Sequence, residues 1–177
     1  TSNRSAHTFF GNGIVAHIAF GEPTSSCLRK IIAQAAAAEG IPVHEGGVYV
    51  TMDGPAFSTR AESEANRRLC FDVIVMTNLP EAKLAREAEI AFATLAFVTD
   101  YDCWKVDEEP VTAETVIGHL LANADTAKRL LAQIIPSIPM EATEPEHRAL
   151  DAALVTQQAA WPPGAAEKLR PLLGRFL

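Results

Sequence analysis

The stretch Asp72–Trp104 constrains this chain most: DVIVMTNLPEAKLAREAEIAFATLAFVTDYDCW. Its pattern predicts strand, helix, strand. Asp72–Thr77 is a short apolar run rich in β-branched residues, which suits a buried parallel strand. Pro80 pre-sets the first turn of a helix in which Leu84, Ala85 and Ala88 recur at helical spacing. Ile90–Thr99 is then ten residues almost without polar atoms, too apolar for a sheet edge and too short to span a membrane. Polar groups return at the strand ends, as Met76-Thr77 after the first and Asp100-Tyr101-Asp102 after the second. Ligands of open α/β sheets sit beyond the carboxyl ends of the strands, so chemistry is expected there.

The rest of the chain fits one α/β domain with a helical tail. Ile14–Phe20, carrying His17, reads as a strand after the turn Gly11-Asn12-Gly13. Thr24 or Ser25 can cap a helix that runs to about residue 39 and stops at Gly40. Val43–Asp53 alternates around Gly46-Gly47 as strand, turn, strand, and Thr59-Arg60-Ala61-Glu62 fits the capping box of a helix over 60–69. Thr112 caps the longest helix, about 113–135, with an apolar stripe from Val116 to Ile134. From about residue 136 two shorter helices are expected, near 145–159 and 164–173, divided by Trp161-Pro162-Pro163.

Composition narrows the function classes. Among 177 residues, 48% are hydrophobic and 21% charged, which describes a globular chain long enough for a real core. A net charge of −7 argues against a nucleic-acid partner, although backbone and hydroxyl donors can still hold a small anion. Cys27, Cys70 and Cys103 are odd in number, far apart and outside any C-x-x-C pattern, which suits reduced thiols in a cytosolic protein. The chain shows no signal-peptide pattern, lipidation motif or run of eighteen apolar residues, so no membrane partner is expected.

Asp100 and Asp102 stand two apart. If strand geometry continues, both carboxylates point to one side at the tip of a buried strand. Like charges so placed let one carboxyl keep its proton near neutral pH, as a general acid requires. The same pattern also fits a simple turn. Thr77 precedes a helix start, where anions are favoured, but a hydroxyl there is equally a cap. Gly54–Ser58 is a restricted loop entering a capped helix, and His17 on an apolar strand fits a core histidine. The three cysteines lack a nearby base, no cluster points to a metal, and neither a G-x-S-x-G elbow nor a dinucleotide or Walker loop is present. Residue patterns alone thus reach an α/β domain with an acid-lined pocket.

Three blocks then carry a resemblance. GVYVTMDGPAFSTRAES (Gly47–Ser63), VMTNLPEAKLAREA (Val75–Ala88) and TDYDCW (Thr99–Trp104) are similar, in order and spacing, to the methylthioadenosine-cleaving branch of the trimeric purine nucleoside phosphorylase family. The likeness runs through about residues 1–135. It implies a mixed, largely parallel sheet flanked by helices, a cytoplasmic homotrimer, and phosphorolysis of 5′-methylthioadenosine to adenine and 5-methylthioribose 1-phosphate. Phosphate is then a co-substrate and no cofactor is needed. By the same resemblance Asp100 protonates purine N7 and Asp102 supports it and reads the amino edge. Phe57 and Ser58 line the base site, Met76 packs on the ribose, and Thr77 binds phosphate. Val111, Ala113, Val116 and Ile117 line the methylthio pocket, with His17 reaching in from a neighbouring subunit. Two acids suit a 6-amino purine, whose N–H groups donate; a 6-oxo purine is better matched by Asn at the first position.

The resemblance also carries departures. The family has glycine where this chain has Cys70 and Glu89, and a small or polar residue at Val75. At positive φ each glycine replacement costs about 1 kcal/mol. Thr1 matches an interior loop of the family, so an N-terminal piece bearing the glycine-rich phosphate loop is expected, either as a separate chain that partners this one or as the preceding part of a longer enzyme. Two alternatives stay open: a phosphorylase for 6-oxopurine nucleosides such as inosine or methylthioinosine, and a non-catalytic nucleoside-binding or assembly fragment.

Overall fold

β1 (Tyr49–Thr51) and β2 (Val73–Val75) form a parallel pair, with Tyr49 opposite Val73 and Thr51 opposite Val75. The structure is a computed structural model that describes residues 7–105, 113–141 and 143–177, with side chains in the long helix described from Ile117. Asp72 starts β2 by accepting the Val48 N–H at 2.6 Å. Gly47 is required beside it: at φ 109°, a Cβ there would stand 2.9 Å from Asp72 Oδ2.

The helices begin and end where their caps dictate. α1 (Ser26–Ala38) stops at Gly40, whose φ is 66°. Its last carbonyls are closed by the N–H groups of Gly40 and Ile41, which reach Ala37 and Ala36. α2 (Arg60–Arg68) opens on the expected capping box: Glu62 N–H donates to the Thr59 hydroxyl at 3.3 Å, and Thr59 N–H to the Glu62 carboxylate at 2.8 Å. The Thr59 backbone N–H, and after it the Thr59 hydroxyl, hold the Glu62 carboxyl below its ordinary value. α2 ends at Cys70 (φ 58°) and α3 (Glu81–Glu87) ends at Glu89 (φ 56°). Both ends repeat the α1 closure, Cys70 and Phe71 donating to Arg67 and Asn66, and Glu89 and Ile90 to Arg86 and Ala85. Cys70 and Glu89 therefore both occupy left-handed backbone, the condition under which replacing a glycine is costly.

Residues fall into two compact units interleaved along the sequence. One takes in the chain up to Arg29, Asn78–Thr94 and Pro139–Leu177; the other takes in Lys30–Thr77 and Leu95–Ile138. In the second, Ala35 and Ala36 of α1 meet Leu130 and Ile134 of α4 (Ala113–Ser137), with Leu95 and Phe97 against them. Alanine lets the α4 side chains close in, and Leu130 is 1% exposed, a burial worth about 1.5–3 kcal/mol. In the first unit Phe10, Ile14, Leu150 and Ala153 pack with Ala165 of α5 (Pro163–Lys168) and Leu173 of α6 (Arg170–Leu173). Buried Glu87 is satisfied there by the Thr8 hydroxyl at 2.6 Å and the Phe9 N–H at 2.7 Å.

Four elements differ from expectation: of the strand, turn, strand read over Val43–Asp53, only Tyr49–Thr51 is a strand, and three others depart further. Ile90–Thr99 carries no ladder among the described residues, although Leu95 and Phe97 pack inward while Val98 is exposed, an alternation proper to a strand. Among the described residues, Ile14–Phe20 makes only isolated bridges, Gly11 to Ile14 and Ala16 to Leu154. The helix expected over 145–159 shrinks to 3-10 turns at Pro145–Arg148 and Gln158–Ala160. Its cause is long-range: Leu150 N–H leaves the helical direction to donate to the Glu89 carboxylate at 2.9 Å, and residues 153–155 turn to pair with 15–17.

Candidate active site

The carboxyl ends of β1 and β2 lead into the candidate site. Met52 N–H extends the pairing to Val75 C=O at 2.9 Å, and the Thr51 hydroxyl donates to Thr77 C=O at 3.0 Å. The chain after β1 then turns through Gly54 to Phe57 and Ser58. Gly54 lies against Met76: a Cβ at residue 54 would come 2.8 Å from the Met76 sulfur. Composition marks this glycine as a turn residue but gives no hint of that contact. Ser58 is held from both sides, its hydroxyl 3.5 Å from Met52 Sδ and its carbonyl 3.5 Å from Cys103 Sγ.

Cys103 brings in the acids. Asp100 is exposed, its Oδ2 accepting the Thr99 hydroxyl at 2.8 Å and its Oδ1 the Asp102 N–H at 2.9 Å. Asp102 is half-buried and adopts φ 63°, with Oδ1 accepting the Cys103 N–H at 2.8 Å. The expected pleat therefore ends at Asp100. Short acidic side chains compete with the ladder by bonding backbone N–H groups two or fewer residues on, and Asp tolerates left-handed backbone. The two carboxylates are arranged by a turn rather than by strand alternation, and Asp100 meets solvent rather than a dry crevice.

Phe57, Ser58, Met76, Thr77, Asp100 and Asp102 thus belong to one unit, where Cys103, Met52 and Gly54 link their segments. Phe57 is 84% exposed, an open aromatic face. Thr77 is exposed and is not a helix cap, since α3 starts only after Pro80. Ile117 is exposed on α4; the side chains of Ala113 and Val116, and the whole of Val111, lie outside the described residues. His17 belongs to the other unit and is exposed, so it is not a core histidine, and its N–H donates to Ala153 C=O at 2.8 Å. Among the described residues no group of three or more His, Cys, Asp or Glu could hold a metal, and no helix is long and apolar enough to cross a membrane.

The sequence of the Phosphorylase superfamily matches residues 1–136 of this chain. The chain belongs to that superfamily. This phosphorylase-superfamily chain is 50% identical over 169 residues to the S-methyl-5′-thioadenosine phosphorylase of Chloroflexus aurantiacus, covering 96% of itself and 59% of that protein. In structure it resembles a methylthioadenosine phosphorylase sourced from an antarctic soil metagenomic library, with TM-score 0.87, 43% identity, and coverage of 94% of this chain and 60% of that one. It also resembles the Schistosoma mansoni methylthioadenosine phosphorylase in complex with adenine, at TM-score 0.76 and 30% identity, covering 84% and 61%. The α/β architecture of these phosphorylases is therefore the fold of this chain, which spans about three-fifths of their length.

Proposed function

We propose that the protein is a pentosyltransferase that cleaves 5′-methylthioadenosine with phosphate, giving adenine and 5-methylthioribose 1-phosphate. One observation carries this reading. The Cys103–Ser58 contact of 3.5 Å sets the acid-bearing turn beside the Phe57–Ser58 loop, at the carboxyl end of the parallel pair. Such a place suits a flat base bearing N–H donors and a basic ring nitrogen.

The chemistry follows from the leaving group. Adenine departs poorly as an anion, so Asp100 would give a proton to N7 while the bond from N9 to the sugar breaks. A phosphate oxygen then forms the new bond to that sugar carbon, and its negative charge stabilises the cation-like sugar on the way. Asp102 would support Asp100 and accept from the 6-amino group. Phe57 and Ser58 would hold the base, Met76 the ribose, and Thr77 the phosphate. Val111, Ala113, Val116 and Ile117 would enclose the methylthio group, with His17 supplied by a neighbouring subunit of a cytoplasmic homotrimer. The phosphate site would be completed by an N-terminal piece of the same enzyme, and no cofactor enters.

The test is adenine release from methylthioadenosine with and without phosphate, run beside inosine and methylthioinosine. Phosphate-dependent release of adenine, well above release from either 6-oxo substrate, is the expected result. Preference for a 6-oxo nucleoside would overturn the acid–amino match, and binding without turnover would leave a non-catalytic role.

A further inference from the structure

Among the described residues, both acids draw their hydrogen bonds from their own turn. The donors are Thr99, Asp102 and Cys103. Such bonds fix the shape of the turn but not its place on the protein. Besides the Cys103–Ser58 contact, its place is held by the rings that flank Asp102. Trp104 lies under the Arg67 guanidinium, 4.3 Å from carbon to ring centroid, and meets Tyr101 edge to face at 6.1 Å and 80°. Lys105 covers the Tyr101 ring at 3.8 Å. The order is cation, ring, ring, cation, and both contact types depend on ring orientation.

Arg67 sits in the last turn of α2, whose other end follows Ser58. A helix of this length is a stiff rod of about 13 Å, at roughly 1.5 Å per residue. It therefore meets the acid-bearing segment twice, through Ser58 C=O and Cys103 at one end and through Arg67 and Trp104 at the other. We propose that Arg67 is a positioning residue: by stacking on Trp104 it sets where Asp100 and Asp102 stand relative to the Phe57–Ser58 loop. This rests on the proposed phosphorolysis for its kinetic consequence, but not for its structural one.

The experiment uses the full natural protein carrying W161F, so that Trp104 is the sole tryptophan of this stretch, with R67M and R67K added in turn. R67M keeps the aliphatic stem and loses the cation. Misplacement of an acid lowers kcat, expected here by about 10- to 100-fold, while the KM for phosphate stays within about twofold. R67M should also red-shift Trp104 emission, and R67K should recover part of both changes because an ammonium still covers the ring. A kcat for R67M within about twofold of the parent, or a loss of kcat without any change in Trp104 emission, overturns the proposal. If the parent shows no phosphorolysis, the functional reading falls alone. The positioning role is then judged by adenine quenching of Trp104, which R67M should weaken; equal quenching, or none in the parent, overturns it.

Discussion

Glu89 and Asp102 share an uncommon backbone state, with φ of 56° and 63°, and differ in what their carboxylates meet. Glu89 is spent on structure. Its Oε1 accepts the Leu150 N–H at 2.9 Å and Arg175 Nη2 at 2.5 Å, and its Oε2 accepts Arg175 Nε at 3.1 Å. The Glu89 carboxylate, chiefly by this hydrogen bonding, raises the Arg175 guanidinium above its ordinary value, and Asp151 adds a second ion pair. Among the described residues, Asp102 and its neighbour Asp100 are instead bonded by their own turn. Backbone state and charge are alike in Glu89 and Asp102, and the source of the donors separates them. Distant donors lock Glu89 to the fold, whereas the described donors to Asp100 and Asp102 come from their own turn.

The largest test of this contrast is D100N. The amide still accepts the Asp102 N–H but cannot act as an acid, so phosphate-dependent adenine release should fall by about 10²- to 10⁴-fold. The melting temperature should hardly move, because Asp100 is exposed and its bonds are local. A rate near that of the parent would remove Asp100 from the chemistry.

E89G probes the other acid. Glycine relieves the left-handed strain by about 1 kcal/mol but strips Leu150 N–H of its acceptor and Arg175 of one of its two carboxylate partners, which costs about 2–3 kcal/mol. A net loss of about 1–2 kcal/mol in denaturant unfolding is expected, with folded protein still active. A gain in stability would show that the Arg175 contacts contribute nothing.

The same two acids show how far the sequence could be read. Caps and glycines are local, so α1, α2 and the left-handed stop at Gly40 were legible from neighbouring residues, whereas Cys70 and Glu89 came into view only through the family resemblance. The parallel strand at Val73–Val75 was legible because a β-branched run has few other homes. Partnership was not legible. Nothing in the composition of Ile90–Thr99 names its neighbours, and nothing in 145–159 announces that Leu150 N–H will turn to a carboxylate 61 positions away. The candidate site was legible as residue types through the three family-like blocks. Its geometry was not, since the Asp102 backbone, the Gly54–Met76 approach and the Arg67–Trp104 stack each depend on a contact or conformation that no spacing encodes.

C70G is the counterpart of E89G and should have the opposite sign. Cys70 holds φ 58° at the end of α2, is exposed, and closes the helix with its backbone, which glycine supplies equally well. Stability should therefore rise by about 0.5–1 kcal/mol, seen as a shift of the denaturant midpoint at unchanged slope. A loss would mean that the thiol makes a contact the exposed position does not suggest, and would weaken the idea that Glu89 survives at its own left-handed position because its carboxylate compensates.

The smallest effect concerns a third acid, Glu62, whose donors are as local as those of Asp100. The Thr59 backbone N–H, then its hydroxyl, lower the native carboxyl, so the unfolded chain takes up a proton at higher pH than the folded one. The sign follows directly. This contribution is fully present above the ordinary carboxylate range and is lost as pH falls through the lowered native value. E62Q keeps the capping geometry but removes the charge at the start of α2. The stability advantage of the parent over E62Q should thus be greatest near neutral pH and shrink on acidification, read by denaturant unfolding at stepped pH. An advantage that stays flat or grows in acid would show that the charge adds nothing to the cap, and that local donors can aim a carboxylate without being strengthened by its ionisation.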